Sequence, residues 1–296
     1  MRWTVPADAE QTLELPGGRV LIAASARSDV GRVRHVNEDS FLAETPVFLV
    51  ADGMGGHARG DAASQAVVAT FRRHLEFGRV STPEQVLDAI HTANDAVRAL
   101  SDDGDEGTSV AGTTLAGVAL VDAGAGQGVR WMVFNIGDSR VYSWDGRTLL
   151  QVSVDHSAVQ ELMDAGLLDP SEAERHPDRN VITRAIGADA YVEPDVWLLP
   201  TTGRQTFLVC SDGLTKELDL AGIAHVLACG TSPDGRASEL VDAALAAGGR
   251  DNVTAVVVES TIGDPAAAAD ETTRDRDDVE VAVDVEATTP RDGAQS

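Results

Sequence analysis

Three aspartates in this chain stand where a strand pattern begins or ends: Asp52 in VFLVADGMGG, Asp212 in LVCSDGL and Asp251 in GRDNVT. Asp52 and Asp212 each finish an apolar run, whereas Asp251 opens one. If the last strand runs antiparallel to the other two, all three carboxylates reach one end of a sheet. Held together without partners they repel, and cations relieve that repulsion. An oxygen-only donor set, with neither His nor Cys, favours Mg or Mn over Zn. Two such ions, retaining waters, can activate one water and polarise a phosphoryl oxygen. Arg34 offers a planar fork for the remaining phosphate oxygens.

Plainer readings compete at each position. Val47 to Val50 reads as a buried strand and a helical pattern opens near Arg59, so the loop between them is also an ordinary strand-to-helix turn. Glycines 53, 55 and 56 leave room around Asp52 and let the backbone bend. Gly53, Gly55 and Ala58 also match a dinucleotide-binding pattern loosely. Glu76, the acidic residue about twenty positions on, falls at a helix end rather than after a second strand, and Asp52 would crowd a pyrophosphate. Arg34, Glu38 and Asp39 lie close together in VRHVNEDS, which reads equally as a solvated turn. Gly137-Asp138 fits a tight hairpin with glycine first, as Asp145-Gly146 fits another.

The elements that must position these groups follow from periodicity. Residues 1–19 look like an irregular arm or edge strand, and a strand is expected from Val20. Ala63, Val67, Phe71 and Leu75 mark an amphipathic helix over 59–76, and Thr82-Pro83 opens a second helix with Val86, Ile90, Val97 and Leu100 inward. His74 and His91 fall off those stripes and read as surface residues. Strand patterns cover 113–121, 128–136, 139–144, 147–152, 192–199, 205–210 and 253–260. Residues 155–191 read as an excursion from the sheet bordering a site, and 219–227 and 233–247 as helices, the latter stopped by Gly248.

A net charge of -25 over 296 residues argues against nucleic acid and against anionic membrane surfaces, but not against phosphorylated substrates where metals reverse the sign locally. Cys210 and Cys229 form no CxxC and sit in apolar company, so both are expected as buried thiols of a reducing compartment. No stretch approaches the about 18 apolar residues of a membrane span, and the expectation is a cytoplasmic protein. Residues 262–296 carry ten acidic residues against three arginines and almost no large apolar side chains, so a disordered acidic tail is expected after a domain at 20–261.

VRHVNEDS, VADGMGGHARGD, AGTTL, IGDSR, VDHS, CSDGL and GRDNVT occur in the order and approximate spacing of the metal-dependent Ser/Thr protein phosphatases of the PP2C type, in their bacterial form. The resemblance spans about Ala24 to Glu259. It implies an α+β fold, an antiparallel β-sandwich flanked by helices on both outer faces, with a dimetal centre at one end. It implies hydrolysis of phosphoserine and phosphothreonine in proteins, opposing bacterial Ser/Thr kinases. Carried over by position, Asp52 resembles the bridging carboxylate, Asp212 and Asp251 the ligands of the first Mn or Mg ion, and the Gly53 carbonyl a ligand of the second, with Glu38 acting through a water. Asp138 resembles the carboxylate that shares a weaker third ion with Asp212, Arg34 the phosphate-binding arginine, and 155–191 the variable flap. Met54 stands where eukaryotic relatives carry a histidine proposed as general acid. His57 is then the nearest side-chain proton donor, and a metal-held water is the alternative and the preferred one. A catalytically dead binding module of the same fold is the rival from another class, and a dinucleotide-binding enzyme a distant one.

Overall fold

The computed structural model describes residues 3–4, 11–15, 18–54, 59–102, 111–124, 126–173, 175–230 and 235–262. In chain order these form β1 (Trp3–Thr4), β2 (Gln11–Leu15), β3 (Gly18–Asp29), β4 (Asp39–Glu44), β5 (Val47–Met54), α1 (Gly60–His74), α2 (Pro83–Asp102), β6 (Gly112–Thr113), β7 (Leu115–Asp122), β8 (Val129–Ile136), β9 (Arg140–Trp144) and β10 (Leu149–Gln151). There follow α3 (Ala158–Asp164), α4 (Pro170–Ala173), β11 (Asp195–Pro200), β12 (Arg204–Cys210), α5 (Asp212–Thr215), α6 (Leu220–Cys229), α7 (Arg236–Ala247) and β13 (Val253–Ile262).

The strands make two antiparallel sheets, one ordered β1-β3-β13-β12-β9-β10 with β2 also on β3, the other β11-β8-β7-β5-β4 with β6 on β5. Alternation along each strand divides the apolar side chains between two faces. Phe48, Val50, Val118, Trp131, Val133, Val141, Phe207, Val209, Val256 and Val258 pack between the sheets. The intervening residues Leu49, Ala51, Met132 and Phe134 pack under α1 and α2. Tyr142, Leu208, Cys210, Ala255 and Val257 pack under α6 and α7. Helices therefore cover both outer faces, the expected α+β sandwich. Pro83 opens α2 as expected: Thr82 Oγ1 accepts from Gln85 N–H while Gln85 Oε1 accepts from Thr82 N–H.

Four expectations need correction. β8 pairs β7 and β11 in one sheet while β9 pairs β12 and β10 in the other, so Gly137-Asp138 is no hairpin but the corner between sheets. Gly137 supplies the left-handed φ of 98° that this corner needs. Trp144 pairs with Leu149, so the second turn spans four residues rather than two, and Asp145 Oδ1 closes it by accepting from Arg147 and Thr148 N–H. Cys229 is exposed while Cys210 is buried. On α6 the inward positions are Ile223 and Leu227, and Cys229 lies two residues past that stripe. Gly248 ends α7 as expected, with φ 163°, an extended backbone, and the left-handed residue that follows is Gly249 at 58°.

Candidate metal centre

The fourth correction concerns how the carboxylates meet. Asp212 and Asp251 flank the adjacent antiparallel strands β12 and β13, as expected, but Asp52 lies on β5 in the opposite sheet. The cluster forms at the open end of the layer between the sheets. Parity explains it: Asp52 shares a face with Phe48 and Val50, and Asp39 with Phe41 and Ala43, all of which pack in that layer. Asp39 and Asp52 are direct partners across the β4–β5 ladder.

Each motif holds its neighbour's backbone. Thr114 Oγ1 accepts from Asp52 N–H at 3.0 Å, while Thr114 N–H and Thr113 Oγ1 both donate to Asp52 O at 2.9 Å. Thr114 Oγ1 also meets Ser139 Oγ at 2.7 Å, which ties AGTTL to the corner carrying Asp138. Asn252 fastens VRHVNEDS: its Nδ2 donates to Val30 O and Val36 O at 3.0 and 2.9 Å, and its Oδ1 accepts from Glu38 N–H at 2.9 Å. A Cβ on Gly53 would stand 2.0 Å from Gly60 O and 2.7 Å from Glu38 O, so only glycine brings that backbone this close to Glu38. On Gly213 a Cβ would stand 1.9 Å from Asn252 O.

Burial pushes the Asp39 carboxyl up to about 7, with Asp212 and Asp251 adding to the rise and the hydroxyls of Thr254 and Ser211 opposing it. Both hydroxyls donate to Asp39 Oδ2 at 2.7 Å, and Oδ1 has no hydrogen-bond partner. Asp52 is raised well above the ordinary carboxylate value by burial and then by Asp39, Asp212 and Asp138. Asp138 is raised to about 7, by burial and then by Asp212, and its Oδ1 is likewise unpartnered. Among the described residues no three acidic side chains converge closely enough to hold an ion as they stand. Cationic side chains lie against them instead. Lys216 Nζ contacts Asp212 Oδ2 and lies 3.3 Å from Asp251 Oδ2. Arg34 reaches Asp251 through Nε at 2.9 Å and a terminal nitrogen at 3.1 Å. Oxygen donors, unpartnered buried carboxylate oxygens and an ammonium in contact with two of the aspartates together fit a hard divalent cation.

Beside the cluster opens a cavity of 710 Å³, lined by Asp138, Asp155, Gln160, Arg179, Asp212 and Lys216 among others. One wall is the 155–191 segment. Arg140 fastens that segment's start to β9, its Nε 3.0 Å from both Asp155 oxygens. His156 Nδ1 accepts from Gly137 N–H at 3.0 Å, beneath the corner that carries Asp138.

The structure thus brings together Asp52, Asp138, Asp212, Asp251, Arg34 and the Glu38 and Gly53 backbones. His57 lies outside the described residues, as does the tail. Sequence reasoning assigned no role to Asp39 or Lys216. Asp39 had the signal of following Glu38 directly, and Lys216 that of standing four residues, one helical turn, after Asp212.

The protein phosphatase 2C family model matches residues 32–246. The serine/threonine phosphatase stp of Listeria welshimeri is 32% identical over 249 residues, covering 81% of this chain and 96% of its own. The serine/threonine protein phosphatase PstP of Mycobacterium tuberculosis is 35% identical over 241 residues, covering 81% of this chain and 45% of its own. The solved catalytic domain of PstP in complex with two manganese ions superposes with a TM-score of 0.70 at 34% identity, covering 82% of this chain and 99% of that one. The Mycobacterium smegmatis phosphatase MsPP in complex with cacodylate does so with a TM-score of 0.68 at 36% identity, covering 79% and 97%.

Proposed function

The chain belongs to the protein phosphatase 2C family and is a metal-dependent Ser/Thr protein phosphatase acting on phosphorylated proteins, and we propose how its residues divide that work. Asp52 would bridge two Mn or Mg ions, Asp212 and Asp251 would hold the first, and the Gly53 carbonyl and Glu38, through a water, the second. Asp138 and Asp212 would hold a weaker third. Bound there, the ions supply acidified water and polarisation of a phosphoryl oxygen.

The chain's own groups do the rest. The Arg34 side chain is half exposed and its fork already faces a carboxylate at the cluster, so phosphate oxygens can take the carboxylate's place as acceptors. Asp39, pinned by Ser211 and Thr254, sets the position of the strand pair that carries Asp52. The observation that carries the assignment is the gathering of carboxylates at one end of the sandwich, with buried oxygens of Asp39 and Asp138 unpartnered and the Lys216 ammonium against Asp212 and Asp251.

The finer assignments follow the same reading. A Ser/Thr kinase acting on the same substrates and a cytoplasmic location belong to it. Among the described residues no helix is long and apolar enough to cross a membrane. Catalysis is assigned to residues 20–261, and removal of 264–296 should leave kcat on a small phosphate ester unchanged. The test of the centre is phosphopeptide hydrolysis by the wild type and Asp251→Asn, each stripped with EDTA and resupplied with Mn. Recovery in the wild type alone, with both chains folded by circular dichroism, is expected. Full activity in EDTA ends the assignment.

A further inference from the structure

Lys216 is the only lysine in the chain, which has 23 lysines and arginines together. It stands one turn after Asp212, with its ammonium against Asp212 and 3.3 Å from Asp251. Its charge also reaches Asp52 and Asp138, in each case easing the penalty of their ionisation. An ammonium is a compact point charge on a four-carbon stem, closer in form to a metal ion than a guanidinium fork is. The one residue of that kind therefore lies among the proposed metal ligands.

We propose that Lys216 is a built-in competitor of the metal, its ammonium holding Asp212 and Asp251 together until a divalent ion displaces it into the adjoining cavity. The inference rests on the metal-centre assignment above. Two like-signed charges cannot share the same carboxylate oxygens at close range without strong repulsion, so ion entry requires the ammonium to leave. The stem is flexible and the side chain 38% exposed, so leaving is sterically open. The cavity that receives it is lined by Lys216 itself and by Asp219, an acceptor for a displaced ammonium, whereas Asp155 on the same wall is already held by Arg140. The consequence is a threshold. The stripped protein keeps its acidic end neutralised, and metal affinity is lower than the ligand set alone would give.

Because this is the only side-chain amine, an amine-acylating reagent reads it directly. Wild-type protein stripped of metal is treated with acetic anhydride with and without Mn, and the peptide containing Lys216 is followed by mass spectrometry. Acylation several-fold faster with Mn is expected; an equal or slower rate overturns the proposal. Calorimetric titration of Mn into stripped Lys216→Met should give a first dissociation constant about tenfold lower than wild type, about 1.4 kcal/mol. The melting temperature of the stripped variant should fall and that of the Mn-saturated variant should not. Equal or weaker Mn binding by a folded Lys216→Met overturns the competitor role while leaving the metal centre standing. Absence of Mn binding by the wild type instead removes the metal assignment itself.

Discussion

Asp39 Oδ2 accepts from the hydroxyls of Ser211 and Thr254 while its backbone is paired with that of Asp52 across the β4–β5 ladder. One carboxylate is thereby fixed by the opposite sheet and set beside another that is proposed as a metal ligand. Asp39→Asn keeps an acceptor for the hydroxyls but removes a buried charge. Mn affinity should fall about 10- to 100-fold, as for other groups that orient ligands. The stripped protein should melt no lower, because like-charge repulsion is removed. Mn titration and a thermal melt check both, and unchanged affinity would detach Asp39 from the centre.

Arg34→Ala should raise KM for a phosphate monoester with a smaller change in kcat, since a phosphate clamp supplies largely uniform binding. Mn affinity should not weaken, because the substitution frees Asp251 from its ion pair. Steady-state kinetics across substrate concentration decides, and an unchanged KM takes Arg34 out of phosphate binding.

At the sheet-to-sheet corner, Asp138→Ala separates two roles. A turn former replaced by alanine would lower stability by about 1 kcal/mol and leave turnover per folded molecule alone. Asp138 is half-buried, its Oδ1 is buried and unpartnered and Asp212 is its strongest charged neighbour, so kcat should fall while substrate binding is spared. A kcat equal to wild type across a Mn titration, with a lowered melting point, would leave only the turn.

His156 gives a pH dependence of opposite sign to that of a salt-bridged histidine. Burial, then Arg184, hold its imidazole below the ordinary 6.5, although Asp195 Oδ2 lies 3.3 Å from Nε2 without hydrogen-bond alignment. Below about 6.5 the unfolded chain takes up a proton that the folded chain resists. The contribution is therefore complete above that value and is lost as the pH falls through it. His156→Asn should be destabilised at pH 7.5, and the gap to wild type should narrow at pH 5.5 in excess Mn. A constant gap in melting temperature over that range would mean that His156 titrates as it does when unfolded.

Much of this was legible in the chain because its signals are local. Continuous apolar runs such as Phe48 to Ala51 and Phe207 to Cys210, and the i, i+4 stripe of α1, each need only neighbouring residues to be read. The seven motifs by themselves point to Asp52, Asp138, Asp212, Asp251 and Arg34. What adjacency cannot carry is which sheet a strand joins. Gly137-Asp138 has the residues of a hairpin, yet β8 and β9 part company there, because the outward faces of the two strands pack under different helices. Asp52 likewise meets Asp212 from the opposite sheet rather than along one sheet edge. Sequence alone determined which carboxylates are present and that they lie near strand ends. Only the packing of one sheet on the other decided that Asp39 would face Asp52, that Ser211 and Thr254 would pin it, and that the one lysine would lie against Asp212 and Asp251. Those contacts join residues up to 215 positions apart, and they exist only once the layer between the sheets has closed.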